Sequence, residues 1–410
     1  MKRRDFITVT GKSALLATMT RGCLLGENVP NSRHLVDTPE KRATYLTQML
    51  KVLCTDIGPH PIGSSEYDTA AHIVKKEMER ALPNVIMDTF PFERWVILSE
   101  PELYVGDQRL ETFPGHGTQG TPPGDISGRV KRIDEDGIPY GVIDDTSGTI
   151  RAYITTSRYG KAVPLPYYSF NKEVKCLPTF NIGIQDIPVV EAAISWAKPV
   201  RLHVQVDFIP DTISSNVIGI LPGKSKEEIV FIAHLDTVYS SPGANDNTAS
   251  VITMLMLAHA ESGNRPQKTM TFIATSGEEY GKLGAIHYAE HRKSEETHKN
   301  IKFIVNFDSL TWGPHLYVNS HDEELRKIFQ TIDRELNIKG SPVLNDTNGF
   351  ALDAQPFLES GARAVYVNSR GYNLEHLWHR PEDTADTVPV DCVEIGFQMF
   401  HEFIRRVQEL

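Results

Sequence analysis

From residue 216 to the C-terminus the sequence repeats one pattern: a short apolar run, a polar loop, then a longer stretch with helical spacing. The apolar runs predict strands over 216–221, 229–234, 269–274, 301–307, 316–319 and 363–367. The stretches between them predict helices over 248–261, 283–292, 322–336, 356–360 and 390–407. Such alternation specifies an α/β domain, a mostly parallel mixed sheet sandwiched by helices, because parallel neighbours need a crossover that covers the sheet. Ligands of these sheets gather at the C-terminal ends of the strands.

Chemistry-bearing residues fall at those ends. The run 229–233 leads into His234, Asp236 follows, and Asp246 comes after a Ser-Ser-Pro-Gly turn. The run 269–274 leads into Glu278 and Glu279, and the run 301–307 into Asp308. Past the last strand, a loop carries His376 and His379 ahead of Asp383 and Thr384. One acid after a strand is commonly a cap or a solvated loop residue. Four separate ends offering oxygen or imidazole, brought to one sheet edge, favour a metal site instead.

The donor types narrow the metal. Imidazoles and carboxylates without thiolates suit zinc, with manganese or cobalt as open alternatives, better than calcium or an iron–sulfur cluster. Two imidazoles and three carboxylates, one shared, give each of two ions three protein ligands. Neighbouring side chains such as Glu278 and Glu279 diverge, so one can ligate while the other acts as a general base on water.

The ordered series H-x-D (His234, Asp236), G-A-N-D-N (Asp246), E-E-x-G-x-x-G-A (Glu278, Glu279), N-x-D (Asp308) and H-x-x-x-D-T (His379) resembles the di-zinc aminopeptidase family. Its relatives include bacterial leucyl aminopeptidases, glutamate carboxypeptidases and glutaminyl cyclases. The resemblance implies two zinc ions, with Asp246 bridging both, His234 and Asp308 completing one site, and Glu279 and His379 the other. It implies Glu278 as general base and acid, Asp236 orienting His234 through its second ring nitrogen, and a cis peptide at Asp246–Asn247. His376 competes with His379, which is preferred because it begins the H-x-x-x-D-T pattern. The chain has Thr248-Ala249-Ser250 where relatives usually continue Ala-Ser-Gly, a departure that touches helix packing more than ligation.

Upstream, Thr38 and Pro39 start a helix that ends before Gly58, a second helix begins at Ser64 or Ser65 and runs to Leu82, and residues 85–92 alternate as a strand. Between about 95 and 210, Gly and Pro punctuate short alternating segments, which reads as a β-rich insert. The segment Leu177-Pro178-Thr179-Phe180-Asn181-Ile182 is similar to the protease-associated insert of many family members. The expected organisation is a signal region and linker (1–30), N-terminal helices (31–94), the insert (95–210) and the metallopeptidase core (211–410).

A net charge of -11, with no basic block beyond the extreme N-terminus, argues against nucleic-acid partners. No apolar run reaches the roughly 18 residues of a membrane span. Four dispersed cysteines without CxxC argue against a thiolate metal site. Arg3-Arg4-Asp5-Phe6-Ile7 resembles a twin-arginine export signal, which implies the export machinery as a partner and a periplasmic or secreted protein. Arg21 beside Gly22 makes Cys23 a poor lipid-attachment site. The leading expectation is an exported aminopeptidase acting on peptides. A glutaminyl cyclase or carboxypeptidase on the same scaffold is the alternative, and a non-catalytic binding or receptor module is the rival of another class. Two-zinc deacylases with a dimerisation domain rank third, because they lack G-A-N-D-N.

Overall fold

The computed structural model describes residues 31–410 except 136–137, 158–159, 166–176, 312–315, 338–342, 346–351, 359 and 369–375. The expected signal region, residues 1–30 with Cys23, lies outside the described residues. In chain order the first strands are β1 (Asn84–Ile97), β2 (Glu102–Val105), β3 (Gln108–Leu110), β4 (Thr112–Pro114), β5 (Ile126–Glu135), β6 (Ile138–Ile143), β7 (Ile150–Thr156), β8 (Thr179–Ile182) and β9 (Pro199–His203). The rest are β10 (Val206–Leu221), β11 (Glu228–His234), β12 (Thr269–Thr275), β13 (Ile301–Asp308), β14 (Tyr317–Asn319), β15 (Val343–Asn345) and β16 (Arg363–Asn368). The helices are α1 (Pro39–Leu50), α2 (Ser65–Ala81), α3 (Ile187–Ser195), α4 (Ala249–Glu261), α5 (Leu283–Ser294), α6 (Glu323–Leu336), α7 (Gln355–Leu358) and α8 (Val390–Val407).

One sheet runs β1-β10-β12-β11-β13-β16-β14-β15. Its centre, β12-β11-β13-β16, is parallel, while β1 with β10, β10 with β12 and β14 with β16 are antiparallel. The mixed, mostly parallel sheet of the expectation is therefore what forms. Alternate residues of β11 serve opposite faces, as strand geometry requires. Ile229, Phe231 and Ala233 join the core under α1, α2, α4, α6 and α8, and Val230 and Ile232 join the core under α5 and α7. Burial on both faces explains why these central strands read as continuous apolar runs.

The N-terminal helices form as their caps predict. Thr38 Oγ1 accepts from the Lys41 N–H (3.3 Å), and Ser64 Oγ from the Tyr67 N–H (3.0 Å). Beyond α1 the chain winds on as a wider π-helical turn, Lys51–Ile57, until Gly58 at φ +82° ends it.

The second sheet runs β3-β2-β9-β5-β6-β7-β8-β4 and has its own core around Leu103, Val142, Ile154, Phe180 and Leu202, with α3 packed on it. Its strands span Glu102 to His203 and are inserted between β1 and β10 of the first sheet. The flanks differ from expectation. β1 continues past residue 92 to Ile97, and β10 begins at Val206, ten residues ahead of the predicted start at 216. The two form one antiparallel ribbon, paired from Asn84↔Ile220 to Ile97↔Val206, that leads from the catalytic sheet into the insert. No helix among the described residues is long and apolar enough to cross a membrane.

Candidate metal centre

Parallel pairing brings the first candidate ligands level. His234 is the last residue of β11 and Asp308 the last of β13, its hydrogen-bonded neighbour. Asp246 enters from the turn ahead of α4, where Gly243 sits at φ +62° and a Cβ would meet the Asp246 carbonyl oxygen at 2.5 Å. His234 Nε2 lies 3.4 Å from Asp246 Oδ1 and 3.9 Å from Asp308 Oδ2. The peptide Asp246–Asn247 is cis.

The second group forms on the other side of Asp246. Glu279 comes from the loop between β12 and α5, and His379 from the loop ahead of α8. His379 Nε2 lies 3.1 Å from Glu279 Oε2 and 3.8 Å from Asp246 Oδ2. His234, Asp246 and Asp308 offer ligand atoms within 4.8 Å of one another, and so do Asp246, Glu279 and His379, all of them buried. His376 is exposed and joins neither group.

Each imidazole is held by its far nitrogen. His234 Nδ1–H donates to the Asp236 carbonyl (3.0 Å), and His379 Nδ1–H donates to the Pro164 carbonyl (2.9 Å), which belongs to the insert. Both rings thus turn Nε2 towards the carboxylates, the orientation a ligating imidazole needs. Asp236 reaches the second ring nitrogen of His234 with its carbonyl and not with its carboxylate. Its carboxylate is 3.9 Å from His234 Nδ1 and accepts instead from the backbone N–H groups of Gly277 (2.7 Å), Glu278 (3.1 Å) and Glu279 (3.3 Å). Asp236 orients His234 by its main chain and holds the Glu278-Glu279 loop by its side chain. That loop is also tied to β10, where Asn216 Oδ1 accepts from the Ser276 N–H (3.1 Å). At the start of α5 a Cβ on Gly284 would sit 2.1 Å from the same oxygen, so only glycine fits there.

Negative charge is concentrated at the site. Burial opposes a charge on His234, yet its bond to Asp246 and the nearby carboxylates of Asp308, Glu278 and Asp236 hold its pKa well above the usual histidine value. Burial raises Glu278 well above the ordinary carboxylate range, against the pull of His234, and Glu278 Oε1 has no hydrogen-bond partner. Burial likewise pushes Asp236 up to about 7. A buried carboxylate cluster needs compensating cations. Two groups of three oxygen and imidazole donors sharing one carboxylate fit two divalent ions, and the donor types fit zinc.

Sequence reasoning left several supports unassigned. Asp383 stands in the H-x-x-x-D-T motif, and its carboxylate accepts from the Asn245 N–H (2.9 Å), Asn245 Nδ2 (2.7 Å) and the Asp246 N–H (3.1 Å). It ties the His379 loop to the Asp246 turn, and its place in the motif was the available signal. Arg380 donates to the Ala162 carbonyl (2.6 Å) and to Glu111 (2.9 Å), both in the insert. Asp353, buried beneath the site, accepts from Thr275 Oγ1. No spacing rule singles out these last two.

Residues 216–403 match Peptidase family M28. Aminopeptidase YwaD of Bacillus subtilis (strain 168) is 25% identical over 409 aligned residues, which cover 91% of this chain and 88% of that protein. The structure of BSAP, a zinc aminopeptidase from Bacillus subtilis, superposes with a TM-score of 0.71 at 21% identity, covering 93% of this chain and 96% of that one. A peptidase M28 precursor from Shewanella amazonensis SB2B superposes at 0.76 with 16% identity, covering 91% and 96%. The last two likenesses carry the fold, insert included, and the matched segment carries every candidate ligand described above. The chain thus matches peptidase family M28 over residues 216–403, and the enzyme is a hydrolase.

Proposed function

We propose that the protein is a zinc-dependent aminopeptidase that removes N-terminal residues from peptides. The observation that carries this reading is the pair of three-residue donor groups sharing Asp246, with the buried Glu278 carboxylate beside them. The similarity to the Bacillus zinc aminopeptidase supports zinc as the metal. His234, Asp246 and Asp308 would hold one ion, and Asp246, Glu279 and His379 the second. Zinc bound there supplies Lewis acidity, polarising a carbonyl and bringing the pKa of water to roughly 7.

The protein's own part is proton handling and positioning. Glu278 has an unpartnered buried oxygen, and burial makes it a stronger base than an exposed carboxylate. It takes the proton of the attacking water and delivers it to the leaving amine. Asp236 fixes the loop that aims Glu278, and the Asp236 and Pro164 carbonyls fix the two imidazoles. The twin-arginine-like start supports export to the periplasm or beyond.

Free-amine and N-blocked peptides, assayed before chelation, after it and after zinc is restored, test the reading. Cleavage of free-amine peptides only, lost with the chelator and regained with zinc, is the expected result. Cleavage of blocked peptides only overturns the aminopeptidase assignment. Loss of ammonia from an N-terminal glutamine, with no shortening of the chain, replaces it with a cyclase.

A further inference from the structure

Where the insert meets the catalytic unit the structure holds a cavity of about 370 Å³. Its walls come from both sides: Ile62 from the α1–α2 connection, Trp95 and Ile97 from β1, Phe113 from β4, His116 just beyond it, and Tyr239 from the segment after β11. Four of these are aromatic and stand close together. Ring centres are 4.9 Å apart for Trp95 and His116, 5.6 Å for Trp95 and Tyr239, and 6.4 Å for Phe113 and Tyr239.

The cavity adjoins the metal centre. The His116 ring packs edge-on against Tyr280 at 4.2 Å, and Tyr280 directly follows the candidate ligand Glu279. Tyr239 lies three residues past Asp236 and one before Ser240, whose hydroxyl donates to the His379 carbonyl (3.3 Å). An extended peptide advances roughly 3.3–3.6 Å per residue. A substrate held at the metal centre therefore reaches this cavity with a residue flanking the scissile bond.

The lining also defines the occupant. Trp95 Nε1–H donates to the Thr118 carbonyl (2.8 Å) and the Tyr239 hydroxyl to the Pro114 carbonyl (3.0 Å). Their polar atoms are engaged within the protein, so Trp95 and Tyr239 present ring faces. With Phe113, Ile62 and Ile97 they make the larger part of the wall apolar, while His116 keeps a buried Nδ1 without a hydrogen-bond partner. The charged residues of the lining are of both signs, a half-buried Arg94 and an exposed Glu100 bonded to Arg109, and favour neither charge in a guest. The volume is at the lower end of ligand pockets, which run from roughly 300 to 1,000 Å³, and suits one large side chain rather than a stretch of peptide.

We propose that this cavity is a substrate subsite that takes one bulky apolar or aromatic side chain next to the cleaved bond, so that the insert sets the residue preference. The proposal rests on the peptidase reading above. Phe113 and His116 give the insert half of the walls, and aromatic faces contribute contact energy beyond simple burial.

The test compares the zinc-loaded wild type with Phe113→Ala and Ile97→Trp on two dipeptide series, X-Ala and Ala-X, with X as Ala, Leu, Phe or Trp. Wild type should favour large X in one series. Phe113→Ala removes a wall and Ile97→Trp fills the space, and each should lower the Phe-to-Ala ratio of kcat/KM at least about tenfold. Zinc content and thermal midpoint are read alongside, so that a folding or metal defect is recognised. Unchanged ratios in both series, with both variants folded and zinc-loaded, overturn the subsite. A wild type that cleaves no dipeptide overturns the peptidase reading instead. In that case calorimetry with L-phenylalaninamide decides the cavity: binding weakened in both variants supports it, and equal or absent binding in all three proteins overturns it.

Discussion

The two donor groups share Asp246 and are built in different ways. His234 and Asp308 end adjacent paired strands, and His234 is oriented by a carbonyl two residues along its own chain. That half inherits its geometry from the sheet. His379 comes from a loop with no strand beneath it, and its ring is oriented by Pro164 of the insert, 215 residues away in sequence. Arg380 and Lys161 fasten the same loop to the insert. One half of the centre is set by strand pairing and the other by the docking of a second sheet. A ligand set can thus be contiguous in space while its two halves answer to different perturbations.

Substitutions separate the halves. Asp246→Ala removes the carboxylate common to both and should abolish both metal sites, with activity falling by orders of magnitude. Elemental analysis after dialysis checks this, and retention of one tightly held ion would show that the halves do not share it. Glu278→Gln keeps the shape but not the base. Turnover should fall about 10²–10⁴-fold with full zinc content, and unchanged turnover would remove Glu278 from the mechanism.

Arg380→Ala loosens only the docked half. Metal affinity should drop about 10–100-fold for one ion and stay at the wild-type value for the other, giving two separated steps in a zinc titration. Equal weakening of both ions would mean that the insert supports the whole centre. Lys161→Ala breaks an exposed pair whose side chains are 60% and 46% accessible. Such pairs contribute roughly 0–1 kcal/mol, so zinc titration of this variant should overlay wild type. A loss as large as that of Arg380→Ala would make the docking electrostatic rather than a matter of buried hydrogen bonds.

The sheet-built half was the more legible in sequence. Apolar runs buried on both faces mark β11, β12 and β13, and a polar residue that ends such a run must lie near the sheet edge, which locates His234 and Asp308. Glu279 and Asp246 lie in the segments after those runs, and it is the resemblance to the di-zinc aminopeptidases that implies their places as ligands. The docked half is written in groups that have no side-chain identity. The acceptor at Pro164 is a carbonyl, which every residue has, and its partner is fixed by tertiary contact. Asp236 shows the same limit at short range: its position predicts a contact with His234, but the carbonyl makes that contact while the carboxylate turns to the N–H groups of 277–279. The strands expected over 85–92 and 216–221 cover only part of the ribbon of β1 and β10. Its full length depends on pairing between segments far apart in the chain, which local pattern cannot report.

That ribbon also bears on how the chain finds its fold. Its innermost pair, Ile97 and Val206, lies 109 residues apart in sequence (206 minus 97), and the insert lies entirely within that loop. Inside it, Leu98 N–H donates to the Gln205 carbonyl (2.8 Å) and β2 pairs with β9. The insert has a separate core, so once folded it brings residues 98 and 205 together, and the open loop shrinks from about a hundred residues to a few. Loop closure scales as (3/2)RT ln n, so the saving is about 3 kcal/mol. The edge strands of the catalytic sheet are then paired almost locally. α2 packs on β10 and α4, so closing this clasp also sets one of the surfaces against which α2 docks.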